Sequence, residues 1–173
     1  MTTDVVKGAI KGQCHAALAM LGEAIRLCPD DLWTQGEHPR QFWRIAHHAI
    51  FFAHLYMEQN AGSFVPWSLE REEENLPGLN DEPQNPVPYT KAELLEYWRQ
   101  VDEMVDAKID ALNLDSPESG FPWYKNFPKL DHVLLAFRHV QEHAGQLRDR
   151  LMEAGIEPSW VSRGQAPTGG WRL

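Results

Sequence analysis

Two histidines four residues apart, His139 and His143, lie in the segment RHVQEHAGQL (138–147). In a helix, residues at this spacing stack one above the other, with Cβ atoms about 6 Å apart. Their imidazoles can therefore converge on one metal ion, as they do in helical zinc sites. An isolated pair of this kind also arises by chance. The alternative interpretation is two half-buried histidines that hydrogen-bond to their neighbours.

A third histidine favours the metal interpretation. The segment AHHAIFFAH (46–54) contains His47 and His48, and the helical period places His48 with the apolar residues and His47 on a more mixed face. We therefore expect His48 to point inward. Burying an imidazole without a partner costs about 1–3 kcal/mol. A metal ion shared with the pair at 139 and 143 would be such a partner.

The other histidines are weaker candidates. His132 precedes His139 by two helical turns, about 10 Å along the axis, so it cannot bind the same ion. His15 is a candidate fourth ligand, but we expect it to have an ordinary structural role. His38 lies in a predicted turn and receives no role.

Four segments with helical periodicity must position these side chains. They run from about Asp4 to Leu27, Arg40 to Asn60, Thr90 to Leu112, and Leu130 to Ala154. The third begins with the capping-box pattern Thr90-x-x-Glu93. No stretch shows the alternation of β-branched residues that predicts a strand. The sequence therefore predicts an all-α fold.

The connection between the second and third helical segments is about thirty residues long, far beyond a usual helix-to-helix loop. A connection of this length can travel the full length of a helix, which allows the second and third helices to run parallel. We therefore predict a four-helix bundle with a long crossover between helices two and three. The acidic stretch EREEEN (70–75) in this crossover is interpreted as solvated charge.

Composition limits the classes of partner. The 173 residues are 43% hydrophobic and carry 16 Lys and Arg against 25 Asp and Glu, a formal charge of −9. This charge repels phosphate backbones, so no nucleic-acid partner is expected. No stretch approaches the roughly 20 apolar residues that cross a bilayer, and no leader pattern is seen. We expect no membrane partner, a cytoplasmic location, and reduced, buried thiols at Cys14 and Cys28.

We expect a single domain over residues 1–173, ending in a loop-like tail from about 156 to 173. Trp160 and Trp171 in this tail are expected to pack against the protein. The chain contains seven tryptophans, which suggests an aromatic core or pocket.

The segments FWRIAHHAIFFAHLY and FRHVQEHAGQLRDRL resemble the DinB-like superfamily of metal-binding four-helix bundles. The run H-x-x-x-H-x-G-Q-L is the most specific part, and the resemblance spans the second to the fourth helix. It implies parallel second and third helices and a divalent metal bound by His48, His139 and His143. His47 is the alternative to His48 as the ligand from the second helix, because the doublet leaves the register ambiguous. Many members carry another histidine where this sequence has Glu142.

The positions of three residues after the pair indicate roles for them. Gly145 is expected to let the fourth helix approach a neighbour closely, at a helix cost of about 1 kcal/mol relative to Ala. Gln146 follows His143 by three residues and is placed to hydrogen-bond a ligand imidazole, with a solvated surface side chain as the alternative. Arg150 is a candidate clamp for the carboxylate of a thiol ligand, with a solvated arginine as the alternative.

Three histidine ligands leave at least one position of a divalent ion open, which is the pattern of catalytic zinc sites. Zinc is the first expected metal and nickel the second.

The resemblance implies a transferase that joins a low-molecular-weight thiol to an electrophile. A water-activating hydrolase is a variant. A different class is a non-catalytic, stress-associated, metal-binding bundle. The aromatic content and the pairing of DinB-like bundles lead us to expect a homodimer.

Overall fold

The computed structural model describes residues 3–37, 39–71 and 87–164. All regular structure within these ranges is helical. The helices are α1 (Thr3–Leu27), α2 (Asp30–Trp33), α3 (Phe42–Tyr56), α4 (Lys91–Ala111) and α5 (Lys129–Glu153), with a 3-10 turn at Ala61–Ser63. The all-α class predicted from the sequence is confirmed. None of the helices in these ranges has the length and apolarity needed to cross a bilayer.

The four predicted segments correspond to α1, α3, α4 and α5. α3 is shorter than expected at both ends, whereas α2 has only four residues and was too short to show a period. The capping box before α4 is present as predicted. Glu93 N donates to Thr90 Oγ1 at 3.2 Å, and Thr90 N donates to Glu93 Oε2 at 2.7 Å.

α3 is covered on almost every side, because it packs against both α4 and α5 and touches α1 and α2. Every residue of α3 is buried except His48 and Phe52. The expectation that His48 is the inward histidine of the doublet was therefore wrong, since His47 is the fully buried one. Periodicity marks an inward face only when the opposite face is exposed to water. Almost no face of α3 is exposed to water.

α1 and α4 approach closely at the Trp98 indole. Its Nε1 donates to the backbone oxygen of Leu18 at 2.6 Å. A Cβ atom at Gly22 would lie 2.4 Å from the Trp98 ring, so only glycine fits there.

A buried polar contact also joins α1 to α4. His15 Nδ1 lies 2.8 Å from Asp102 Oδ1, and His15 Nε2 lies 3.4 Å from Asp106 Oδ1. Burial lowers the pKa of His15, but the hydrogen bonds and charges of the two carboxylates outweigh burial and raise it overall. His15 is thus engaged between the helices and is not a fourth member of a metal cluster.

The start of the crossover is anchored in the interior. Trp67 stacks on Tyr97 with ring centroids 4.4 Å apart. The side chain of Glu70 is 5% exposed, and its Oε1 lies 2.9 Å from His47 Nε2, although without hydrogen-bond alignment. The interpretation of this stretch as solvated charge was therefore wrong for Glu70, because the buried imidazole gives the carboxylate a partner. Residues 72–86 lie outside the described ranges.

The chain after α5 turns back along α1. Gly164 N donates to Gly12 O at 2.9 Å. Trp160 is 73% exposed, so the expectation that it packs against the protein was wrong. Trp171 and the rest of the tail from residue 165 lie outside the described ranges, as does His38.

The His15 contact predicts a pH-dependent contribution to stability. Its raised folded pKa means that the contribution is complete below the unfolded pKa of about 6.5 and is lost as pH rises through the folded pKa. His15→Gln keeps a polar group near Asp102 but does not titrate. We expect the difference in unfolding free energy between wild type and His15→Gln to shrink over a range of rising pH that begins at about 6.5. Urea unfolding followed by circular dichroism measures this difference. A difference that stays constant over the range would contradict the assignment.

Candidate metal centre

Three histidine side chains converge between α3 and α5. His48 Nε2 and His143 Nε2 lie 3.1 Å and 3.0 Å from His139 Nε2. Ligand atoms of all three lie within 4.8 Å of one another. Two nitrogens bound at about 2.1 Å to one tetrahedral or octahedral ion are roughly 3.0–3.4 Å apart. The histidine group can therefore hold a single metal ion.

Gln146 sets the orientation of one ring. Its Oε1 lies 2.9 Å from His143 Nδ1. An amide oxygen only accepts hydrogen bonds, so the proton of the neutral ring is on Nδ1. The lone pair on His143 Nε2 then points toward the other two histidines. Polar partners of this kind commonly orient metal-binding imidazoles.

The protein holds two of the rings in the form that binds metal. Burial lowers the pKa of His48 to about 2, with further lowering by the charges of His143 and His139. Burial, followed by the charge of His143, lowers the pKa of His139 to about 4. Both rings are therefore neutral at pH 7, as imidazole ligands must be. His139 Nδ1 is buried and has no hydrogen-bond partner among the described residues.

A pocket of about 620 Å³ adjoins the cluster, and His48 and His143 form part of its wall. The other lining residues are Pro39, Arg40, Ile45, Gln146, Asp149, Arg150 and Glu153. Within the described part of the chain, the histidine group has no fourth ligand. An ion at this position would therefore keep a coordination position for a molecule in the pocket.

The two histidines of the doublet point to different places. His48 joins the cluster, whereas the ring of His47 stacks on Tyr89 with centroids 4.7 Å apart and approaches Glu70. The structure thus brings His48, rather than His47, to the pair at 139 and 143. The candidate Arg150 lines the pocket, and Gln146 lies between the pocket and the cluster.

His132 lies apart from the cluster, as the axial distance predicted. Its ring is fully buried, and neither nitrogen has a hydrogen-bond partner among the described residues. It stacks on Phe121 at 4.5 Å and meets Tyr56 edge-on at 4.7 Å. Burial, followed by the charge of Lys129, lowers its pKa to about 4. It behaves as an aromatic core residue.

Sequence reasoning missed three charged residues of the pocket, Arg40, Asp149 and Glu153. The spacing along the sequence could have identified two of them. Asp149 and Glu153 follow Gln146 by three and seven residues, which places all three on one face of α5. Arg40 precedes α3 in a loop, and no helical period connects it to the site.

Gly145 does not serve a close helix approach. It is exposed, and a Cβ atom built there meets no atom within 4 Å. The expectation of a close contact was therefore wrong. The side of α5 that carries Gly145 faces away from the neighbouring helices.

No protein-family model matches the sequence, and no curated protein or solved structure is similar to it. The geometry of the histidines and the pocket is therefore the basis for interpreting the site.

Gly145→Ala is expected to stabilise the protein by about 0.5–1 kcal/mol, because it removes the helix cost of glycine without a clash. Gly22→Ala is the matched control and should destabilise it, since the added Cβ would meet the Trp98 ring. Urea unfolding of both variants tests the pair. Loss of stability in Gly145→Ala would show that this glycine has a steric role.

Proposed function

We propose that the protein is a DinB-like metal-binding enzyme that transfers a low-molecular-weight thiol to an electrophile. The observation that carries this proposal is the convergence of His48, His139 and His143 at the wall of a polar pocket. Imidazole ligands suit Zn²⁺ and Ni²⁺, with zinc as the first candidate.

The helix contacts support a DinB-like four-helix bundle with a crossover. α1 and α3 each pack against both α4 and α5. His54 Nδ1, near the end of α3, lies 3.1 Å from the Tyr97 hydroxyl, and Glu58, just beyond α3, pairs with Lys108. Contacts that advance in the same direction along α3 and α4 support a parallel arrangement of these two helices.

The pocket favours a catalytic site over a closed structural one. Structural zinc sites are normally completed by four protein ligands, whereas catalytic sites keep a position open. The exposed Trp160 is not among the residues lining the pocket, so it does not seal the histidines. A divalent ion held here would act as a Lewis acid that lowers the pKa of a thiol and holds it as a thiolate.

The protein's own cysteines are poor sources of the reacting sulfur. Cys14 and Cys28 are both buried, and neither forms a disulfide bond. Burial raises the pKa of the Cys28 thiol to about 12 and raises that of Cys14 further. Both remain protonated at pH 7, and a thiol is far less nucleophilic than a thiolate. The proposed nucleophile is therefore a separate small thiol.

In the proposed transfer, the small thiol loses its proton to solvent on binding. Its sulfur forms a bond to an electrophilic carbon, and the leaving group departs with the electron pair of the broken bond. Gln146 contributes by fixing the tautomer and orientation of His143.

We expect one divalent ion per chain in protein purified without a metal-affinity tag. His139→Ala and His143→Ala should lose this ion, because two remaining histidines hold it poorly. His132→Phe is the control, since it replaces a buried histidine outside the cluster with another aromatic ring. Elemental analysis after gel filtration measures the metal content. Equal metal content in wild type and both alanine variants would exclude this site.

Activity should depend on the same residues. With metal-loaded protein, a panel of small thiols and a chromogenic electrophile, His143→Ala should lose turnover. Gln146→Ala should retain most of the metal and lower turnover about 10–100-fold. Cys14→Ser and Cys28→Ser, checked for folding, should react at the wild-type rate.

Equal rates for wild type and His143→Ala with every thiol would remove the transferase and leave a non-catalytic metal-binding bundle. Thiol-independent cleavage of the electrophile would instead indicate the hydrolase. The homodimer stays a prediction, and light scattering would test it against the monomer mass of 19.8 kDa.

A further inference from the structure

A second pocket, of about 630 Å³, adjoins the pocket beside the histidine cluster. Its walls include Asp31 and Leu32 of α2 and the nearby Gln35. Arg150 and Glu153 line both pockets. The two pockets therefore meet at these two side chains, and together they are called the groove, with one end at the histidines and the other at α2.

The two ends of the groove differ in charge. At the histidine end, a bound divalent ion together with Arg40 would outweigh the carboxylates of Asp149 and the shared Glu153 and make this end positive. The α2 end carries the carboxylate of Asp31, and the lining residues there include no cation beyond the shared Arg150. The neighbouring Asp30 is not part of the lining and pairs with Lys91 at 3.1 Å.

We infer that the groove binds a small thiol that carries a protonated amine, with the sulfur at the histidines and the amine at Asp31. This inference rests on the proposed function and adds the chemical class of its thiol. An ammonium group offers three donors, and Asp31, Glu153 and the Gln35 side chain supply acceptor oxygens around the second pocket. Asp31 and Glu153 are thereby specificity-determining residues.

Arg150 divides the groove into its two parts. A guanidinium group donates to oxygen acceptors but repels an ammonium. It therefore suits a carbonyl or carboxylate in the middle of the ligand and disfavours an amine placed there. Its charge directs the amine past the junction toward Asp31.

The experiment measures binding rather than turnover. Protein loaded with Co²⁺ shows thiolate binding as a charge-transfer absorbance, which is titrated with ω-amino, ω-hydroxy and ω-carboxy alkanethiols of increasing chain length. At the best length, we expect the aminothiol to bind about three- to tenfold more tightly than the hydroxythiol. The preference should weaken as salt is added, because the carboxylates are reached through solvent.

Asp31→Asn should abolish the preference for the amine over the hydroxyl group, because asparagine carries no charge. Glu153→Gln should reduce the preference. Asp30→Asn is the matched control and should keep it, because this neighbouring carboxylate lies outside the lining. Asp31 is exposed, so its substitution is compatible with folding, and circular dichroism checks this.

The possible failures are distinguishable. Absence of bound cobalt, or of a thiolate band with every thiol, would refute the proposed function together with this inference. A thiolate band with equal affinities for amino and hydroxy thiols at all lengths would overturn the inference alone. An Asp30→Asn effect equal to that of Asp31→Asn would also overturn it, since a general surface field would then explain the preference.

Discussion

Three imidazole nitrogens that face one another repel through their lone pairs unless a proton or a cation lies between them. This constraint acts at the contact of α3 with α5, where the Nε2 atoms of His48 and His143 lie 3.1 Å and 3.0 Å from that of His139. Gln146 holds the proton of His143 on Nδ1, so this ring directs a lone pair toward the others. Burial keeps the pKa of His48 and His139 low, so protonation of these rings does not relieve the repulsion at pH 7. A divalent cation bound by all three nitrogens would remove this repulsion.

Three other buried histidines each lie beside a polar side chain outside this cluster. His15 is engaged by Asp102, His47 lies against Glu70, and His54 lies 3.1 Å from the Tyr97 hydroxyl. Each contact joins two segments distant in the chain, so buried polarity helps to hold the helices together. The histidines at 48, 139 and 143 differ because their shared partners are one another and because a pocket borders them.

The position of α3 explains why the histidine cluster at this contact has a fixed geometry. A helix covered on nearly every side holds its side chains rigidly, and rigid elements position ligands well. The two less buried residues of α3, His48 and Phe52, lie one turn apart on the side that meets His139. The cluster thus combines fixed geometry with access from the pocket, which is the combination that a metal-dependent enzyme requires.

The sequence by itself determined the features that depend on neighbours along the chain. The capping box at Thr90, the all-α class and the placement of His139 and His143 on one face of a helix follow from helix geometry, which is local. Tertiary structure decided which histidine of the doublet joins them, because α3 is buried on almost every side and its period marks no single inward face. It also decided the burial of Glu70 and the meeting of Arg40 with Asp149 at one pocket. These contacts join segments that are distant in sequence, and local periodicity does not predict which distant segments will come into contact.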